Sequence, residues 1–257
     1  MEFAGAFDRP LFIVVDGLDA VGKTTLSRSL ATALSATQLK CPPRLELHCP
    51  VAEMEQLLPK GDLRQHFDTA HAVVRRAYYR AANLVASEQA GACLESGRHV
   101  VMDRYWTSTV AFAAMDEEEA SGGVEAGTYP PELRIPDVVI LLTVDESTRA
   151  ERMRGRGETT TNEERKLAHD TERRGRVLEV YRKFEIVEID TSNLDPAGVL
   201  EEVLYVLKEQ GGGSDRRRRI RSRSFPPHPT VSSFEAIALA AGVVAVTFAL
   251  TRVRGRS

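Results

Sequence analysis

The sequence predicts an α/β domain, a parallel sheet covered by helices on both faces. Three observations carry that prediction. Short apolar runs alternate with helix-period segments over the first 210 residues. The first run leads straight into Gly17-Leu18-Asp19-Ala20-Val21-Gly22-Lys23-Thr24-Thr25, a glycine, four residues and then Gly-Lys-Thr, ahead of a helical pattern. A later run ends in a carboxylate, Asp103, where a parallel sheet presents its ligand-binding edge.

Taken in order, Leu11 to Val15 is continuous and apolar, as strands buried on both faces are. Leu26, Leu30, Ala33 and Leu34 then recur on one helical face. Thr37 to Cys41 is a weaker strand, and residues 65–95 read as helix. His99 to Asp103, Val138 to Val144 and Ile186 to Ile189 are further strands, with a helix over 162–184 between the last two. Asp195-Pro196 opens the final helix, with aspartate as cap and proline in the first turn. Val199, Leu200, Val203, Leu204 and Leu207 give that helix its apolar face. Glu117 to Glu119 and the glycines that follow read as a solvated loop.

The glycine-rich segment has the chemistry of a phosphate cradle. Gly17 and Gly22 let the backbone curl so that successive N–H groups converge, and the helix behind adds its positive end. Lys23 can reach the outer phosphates of a nucleoside triphosphate, and the Thr24 hydroxyl can ligate Mg²⁺, with Thr25 beside it. Asp103-Arg104 at a strand end supplies the other half of phosphoryl-transfer chemistry. The carboxylate serves the metal or its water, and the guanidinium neutralises a phosphate. Glu151-Arg152-Met153-Arg154-Gly155-Arg156-Gly157 places three arginines among glycines on a helix end, which suits a lid that closes over the phosphates.

Composition excludes other classes. The chain has 257 residues and a net charge of −3. Residues 211–257 carry nine arginines against Asp215 and Glu235, net +7, which leaves −10 on residues 1–210. So acidic a domain is not built to bind nucleic acid. Cys41, Cys49 and Cys93 are odd in number and far apart, so neither a disulfide framework nor a zinc site is expected. No Asn-Lys-x-Asp guanine motif accompanies the loop, which sets aside a GTPase switch. The first ten residues have the character of neither a signal nor a transit peptide.

These motifs, in this order, resemble the thymidylate kinase family of nucleoside monophosphate kinases over roughly residues 9–208. Within it the likeness is to the mitochondrial UMP/CMP kinase branch. It is carried by Val74 to Tyr79, Val85 to Glu88, Asp103 to Trp106, Pro136-Asp137 running into Val138 to Val144, and Gly155 to Gly157. The resemblance implies a P-loop kinase fold, with a five-stranded parallel sheet, helices on both faces and a lid. It implies ATP as co-substrate, Mg²⁺ as cofactor and a pyrimidine monophosphate as acceptor.

By that resemblance Gly17, Gly22, Lys23, Thr24 and Thr25 hold the ATP phosphates, and Thr191 and Ser192 meet the adenine. Thr24 and Asp103 serve Mg²⁺. Asp19, Arg44, Arg76, Tyr79 and Asn83 surround the acceptor, Arg104 grips its phosphate, and Tyr79 stacks on its base or packs as a core aromatic. Two departures follow. Some family members carry an arginine after the loop aspartate, where this chain has Ala20, so transition-state charge is expected from Arg154 and Arg156. Thymidylate kinases place an arginine against thymine four residues after the stacking aromatic. Here Asn83 stands there, which favours UMP, CMP or their deoxy forms over dTMP. A homodimer is left open, and the alternatives are a dTMP kinase and, against the intact Lys23, Thr24, Asp103 and Arg104, a catalytically silent membrane-tethered nucleotide-binding protein.

The sequence thus divides into a kinase domain over 9–210, a Gly/Arg/Ser/Pro-rich linker over 211–235 and a candidate membrane anchor over 236–253. Ala236 to Leu250 is free of charge and flanked by arginines, though short for a bilayer core of about 30 Å. The expectation is a C-terminal anchor in the mitochondrial outer membrane or the ER, with the domain facing the cytosol. The alternative is a soluble mitochondrial or cytoplasmic protein.

Overall fold

A computed structural model of the chain describes residues 7–43, 72–115, 125–155, 167 and 170–212. Five parallel strands form one sheet in the order β2-β3-β1-β4-β5. They are β1 (Phe12–Gly17), β2 (Thr37–Lys40), β3 (Val100–Asp103), β4 (Val138–Thr143) and β5 (Val187–Asp190). The described helices are α1 (Lys23–Ala33), α2 (Ala72–Glu95), α3 (Trp106–Ala113), α4 (Glu146–Gly155), α5 (Thr171–Tyr181) and α6 (Pro196–Gly212).

The sheet separates two apolar cores, and β1 feeds both by strand alternation. Ile13 and Val15 point to the layer built from Leu26, Leu30, Val177, Val199 and Val203 of α1, α5 and α6. Phe12 and Val14 point to the other layer, where Ala82, Ala86, Ala90 and Cys93 of α2 meet Val100 and Met102 of β3. That stripe of small residues lets α2 lie close to the sheet. Every residue of β1 is buried, as its unbroken apolar run predicts. The edge strands β2 and β5 are half exposed, which explains the weak apolar signal at 37–41.

Element boundaries follow the sequence reading with local shifts. The helix expected over 65–95 is described from Ala72, and that expected over 162–184 is Thr171–Tyr181 within the described residues. The Asp195 carboxylate accepts the Gly198 N–H at 2.7 Å, the predicted cap of α6. Helix α3 has no counterpart in the sequence reading. Seven of its eight residues are buried, so it shows no polar face by which a period could be seen. The acidic loop, Arg44, Arg156 and the tail from 213 onward lie outside the described residues. Among the described residues, no helix is long and apolar enough to cross a membrane.

Candidate active site

The site lies at the carboxyl edge of the sheet, where the loops after β1, β2 and β3 converge on a cleft of about 480 Å³. Strand order turns around β1 here, the usual place for a ligand in an open α/β sheet. Two glycines shape the loop. Gly17 has φ 139°, and a Cβ there would stand 2.4 Å from the Leu142 carbonyl oxygen, so no other residue fits. Gly22, with φ 99°, is the N-cap of α1 and offers no side chain to the helix amides. The positive end of α1 is therefore left for an anion in the cleft.

Lys23 is the first residue of α1 and is 7% exposed. Its Nζ donates to the Leu18 carbonyl at 2.5 Å and lies 3.8 Å from Asp19 Oδ1. Burial and the neighbouring Arg104 lower its pKa to about 8, against the pull of Asp19 and Asp103. An ammonium so short of solvation gains strongly from an arriving phosphate.

Across the cleft, the Thr24 hydroxyl donates to Asp103 Oδ2 at 2.7 Å, and Lys40 Nζ lies 3.4 Å from the same oxygen. Burial pushes the Asp103 carboxyl upward, but Lys40, Arg104, Lys23 and the Thr24 hydroxyl together hold it below the usual range. Its other oxygen, Oδ1, is buried with no hydrogen-bond partner. A hydroxyl and an ionised carboxylate with a spare oxygen are the hard donors Mg²⁺ prefers, and this ion takes few protein ligands beside phosphate and water. Thr24 and Asp103 therefore fit the predicted cation. Among the described residues there is no cluster of three or more His, Cys, Asp or Glu that could hold a metal by itself.

Arg104 follows with φ 68°, a strained backbone for a non-glycine residue. Its N–H donates to the Val15 carbonyl at 3.0 Å, which pins the turn to β1. Its guanidinium donates to Asp19 Oδ1, to the Gly17 carbonyl at 3.4 Å and to Ser108 Oγ at 3.3 Å, and lies 5.1 Å over the Phe112 ring. Burial disfavours its charge, yet Asp19 more than compensates and keeps it firmly protonated. The rest of this half of the cleft is lined by Arg76, Tyr79, Thr109 and Phe112. Arg76 donates to the Phe112 carbonyl at 3.0 Å.

The other half is lined by Thr191, Leu194, Pro196 and Val199. Arg152 closes it. Its guanidinium donates to Thr191 Oγ1 at 3.1 Å and to the Thr191 carbonyl at 3.0 Å. A flat cation beside an apolar wall suits an aromatic base.

The structure thus brings together Gly22, Lys23, Thr24, Thr25, Asp19, Arg76, Tyr79, Asp103, Arg104 and Thr191. Gly17 shapes the loop without lining the cleft, and three other described residues of the prediction stand elsewhere. Arg154 is exposed and does not line the cleft, because two positions along α4 turn it away from Arg152. Ser192 is outside the lining, donating to Asp190 at 2.5 Å and accepting the Asp145 N–H at 2.8 Å. Asn83 is 0% exposed and does not reach the cleft. Its Nδ2 donates to the Tyr79 carbonyl and to Thr109 Oγ1, each at 2.7 Å, and its Oδ1 accepts the Cys41 thiol at 3.6 Å. With donors and acceptor all engaged, Asn83 supports the acceptor wall from behind.

That placement gives a direct expectation. Asn83→Leu costs about 1–3 kcal/mol in urea unfolding, because buried partners lose their hydrogen bonds. Because the side chain does not reach the cleft, the order of nucleotide affinities stays as in the wild type, which a binding panel checks.

Lys40 and Arg152 belong to the cleft without having been singled out in the sequence reading. Lys40 Cα pairs with Asp103 Cα across β2 and β3, a register no local pattern reveals. Arg152 lies within the arginine run, but its sequence neighbourhood does not fix which arginine faces inward.

Comparison with known proteins agrees with this fold. The human protein named "UMP-CMP kinase 2, mitochondrial" is 33% identical over 207 residues, covering 76% of this chain and 42% of that protein. A thymidylate kinase of Xanthomonas euvesicatoria is 30% identical over 150 residues, covering 58% of this chain and 62% of the relative. The chain thus spans less than two thirds of either relative's length. The solved thymidylate kinase of Candida albicans shares the fold, with a TM-score of 0.54 at 18% identity over 79% of this chain and 92% of that one. The sequence model of the family described as thymidylate kinase matches residues 15–202, and the chain belongs to the thymidylate kinase family.

Proposed function

We propose that this protein transfers the γ-phosphoryl group of ATP to a pyrimidine nucleoside monophosphate, UMP, CMP or a deoxy form, giving the diphosphate and ADP. The observation that carries the reading is the convergence of Lys23, Thr24–Asp103 and Arg104–Asp19 on one cleft. Both relatives are named for kinases of pyrimidine monophosphates, which supports this acceptor class.

In the proposed reaction a phosphate oxygen of the acceptor attacks Pγ in line. The new O–Pγ bond forms as the bond from Pγ to the β-bridging oxygen breaks, and the electron pair leaves on ADP. The acceptor brings its own anionic oxygen, so no enzyme nucleophile and no phosphoenzyme are needed. The loop and Lys23 hold the donor phosphates and meet the charge that builds on them. Arg104, fixed by Asp19, orients the acceptor phosphate, and Arg76 lies in the same wall. Thr191 and Arg152 receive the adenine. Thr24 and Asp103 would hold Mg²⁺, which would supply charge neutralisation to the ATP phosphates.

The test is ADP release that depends on added monophosphate, run across UMP, CMP, dUMP, dCMP and dTMP. The expected order puts a uracil or cytosine nucleotide ahead of dTMP, since no arginine stands at Asn83 to meet thymine. A tenfold or greater preference for dTMP in kcat/KM would reverse this choice and make the protein a dTMP kinase. Release of ADP without any monophosphate would end the kinase reading.

The name of the human relative supports a mitochondrial location, and the basic, apolar tail supports membrane contact. Carbonate-washed membranes from cells expressing the full chain, compared with a chain ending at Gly211, test the membrane contact. Retention of only the full chain supports an anchor, and loss of both from the membrane removes it.

A further inference from the structure

Asp16 is a buried carboxylate that none of the steps above uses. It sits one residue before Gly17, at the end of β1, with 0% exposure. Three hydroxyls point at it. Thr107 Oγ1 donates to Oδ2, while Ser108 Oγ and, at 3.0 Å, the Tyr181 hydroxyl engage Oδ1. Ser108 Oγ and the Tyr181 hydroxyl are themselves 2.9 Å apart. An acid so placed is expensive, since burial pushes its carboxyl upward against the Ser108 and Thr107 hydroxyls and the more distant charges of Arg104 and Lys23. A core that needed only packing would hold an apolar residue here.

We propose that Asp16, with Tyr181, is a positioning residue for Arg104, acting through the hydroxyl of Ser108. A serine hydroxyl has one proton and two lone pairs, and it rotates to suit its neighbours. Asp16 accepts the hydrogen bond that the Ser108 hydroxyl donates. The lone pairs then face Arg104 Nη1, which donates to Oγ at 3.3 Å. Without the carboxylate the hydroxyl can turn its proton toward the guanidinium and repel it. Asp19 holds the other terminal nitrogen, so the two aspartates fix the guanidinium from opposite ends. Tyr181 brings α5 into the same network, which ties that helix to β1 and α3.

The inference rests on the reading of Arg104 as the group that holds the acceptor phosphate. The experiment is calorimetric binding of whichever of UMP, CMP or dTMP gives the highest turnover. It is measured on full-length wild type, Asp16→Asn, Arg104→Met and the double variant, with thermal unfolding alongside. Asp16→Asn, whose amide offers one accepting oxygen and a donating NH₂ to three hydroxyls, is expected to weaken binding about tenfold in the wild-type background and to change nothing further in the Arg104→Met background. An equal loss in both backgrounds would mean that Asp16 merely stabilises the fold, and no loss in the first would also overturn the proposal. Tyr181→Phe keeps the packing ring and covers the case in which Asp16→Asn does not fold. It is expected to cost about threefold, again only with Arg104 present, and an equal cost without Arg104 overturns the proposal. Failure of the wild type to bind any of the three nucleotides is a separate result, and it overturns the reading of the acceptor site itself.

Discussion

Lys23→Met lowers turnover by about two to three orders of magnitude and leaves the domain folded. The ammonium stands at the start of α1, desolvated and already bonded to the Leu18 carbonyl, so it is in place before substrate arrives. A charge set in advance in a cleft of low dielectric contributes most when the phosphate oxygens gain charge in the transition state, about 3–4 kcal/mol for one such donor. Methionine fills much the same volume with no charge. It removes a buried ammonium whose pKa has been driven down to about 8 by burial, so the fold loses little. Asp19 keeps its partner in Arg104 and is not stranded. The check is steady-state turnover at saturating ATP and monophosphate, with thermal unfolding measured on the same samples. Turnover within tenfold of wild type would remove Lys23 from the reaction, and the phosphate-loop reading with it.

How much of this site the sequence reveals depends on whether a residue's neighbours in space are also its neighbours in the chain. Gly17 to Thr25 is one contiguous turn, so β1, the loop and the start of α1 read directly from its spacing. Asp103-Arg104 reads almost as well, because a carboxylate ending an apolar run marks the ligand edge of a parallel sheet. Lys40 does not. It reaches Asp103 only because β2 lies beside β3, and a single sequence does not encode the order of strands. Asp16 also escapes, since its three hydroxyl partners come from α3 and α5.

Asn83 shows a different limit. By the resemblance, the residue type at position 83 says which contact is absent, the arginine expected to meet thymine. It does not say where the replacement side chain goes. Asparagine is short, and on the buried face of α2 it turns back to Tyr79, Thr109 and Cys41. The arginine run at the end of α4 leaves its phase open. Arg152 and Arg154 differ by roughly 200° around a helix, so only one faces Thr191, and the glycines nearby give no apolar stripe to choose between them.

Asp103→Asn has the second large expected effect, a loss in turnover of about a hundredfold or more together with a raised Mg²⁺ requirement. The aspartate stands at the end of β3 with Oδ2 shared between Thr24 and Lys40 and Oδ1 left without a partner. An amide keeps the size and can still accept from Thr24. It cannot carry the negative charge, and its NH₂ presents two protons where a cation should approach. Lys40 is half exposed and returns to solvent at little cost. The domain therefore stays folded, and the deficit falls on the metal-dependent part of the reaction. Titration of Mg²⁺ at fixed ATP separates this from a general weakening. The variant's half-saturating Mg²⁺ rises severalfold while its calorimetric affinity for the monophosphate, measured without metal, stays near wild type. A variant that keeps the wild-type Mg²⁺ curve would place the cation elsewhere and leave Asp103 as the counter-ion of Lys40. The two roles leave different traces, because a counter-ion acts on Lys40 whether or not metal is present.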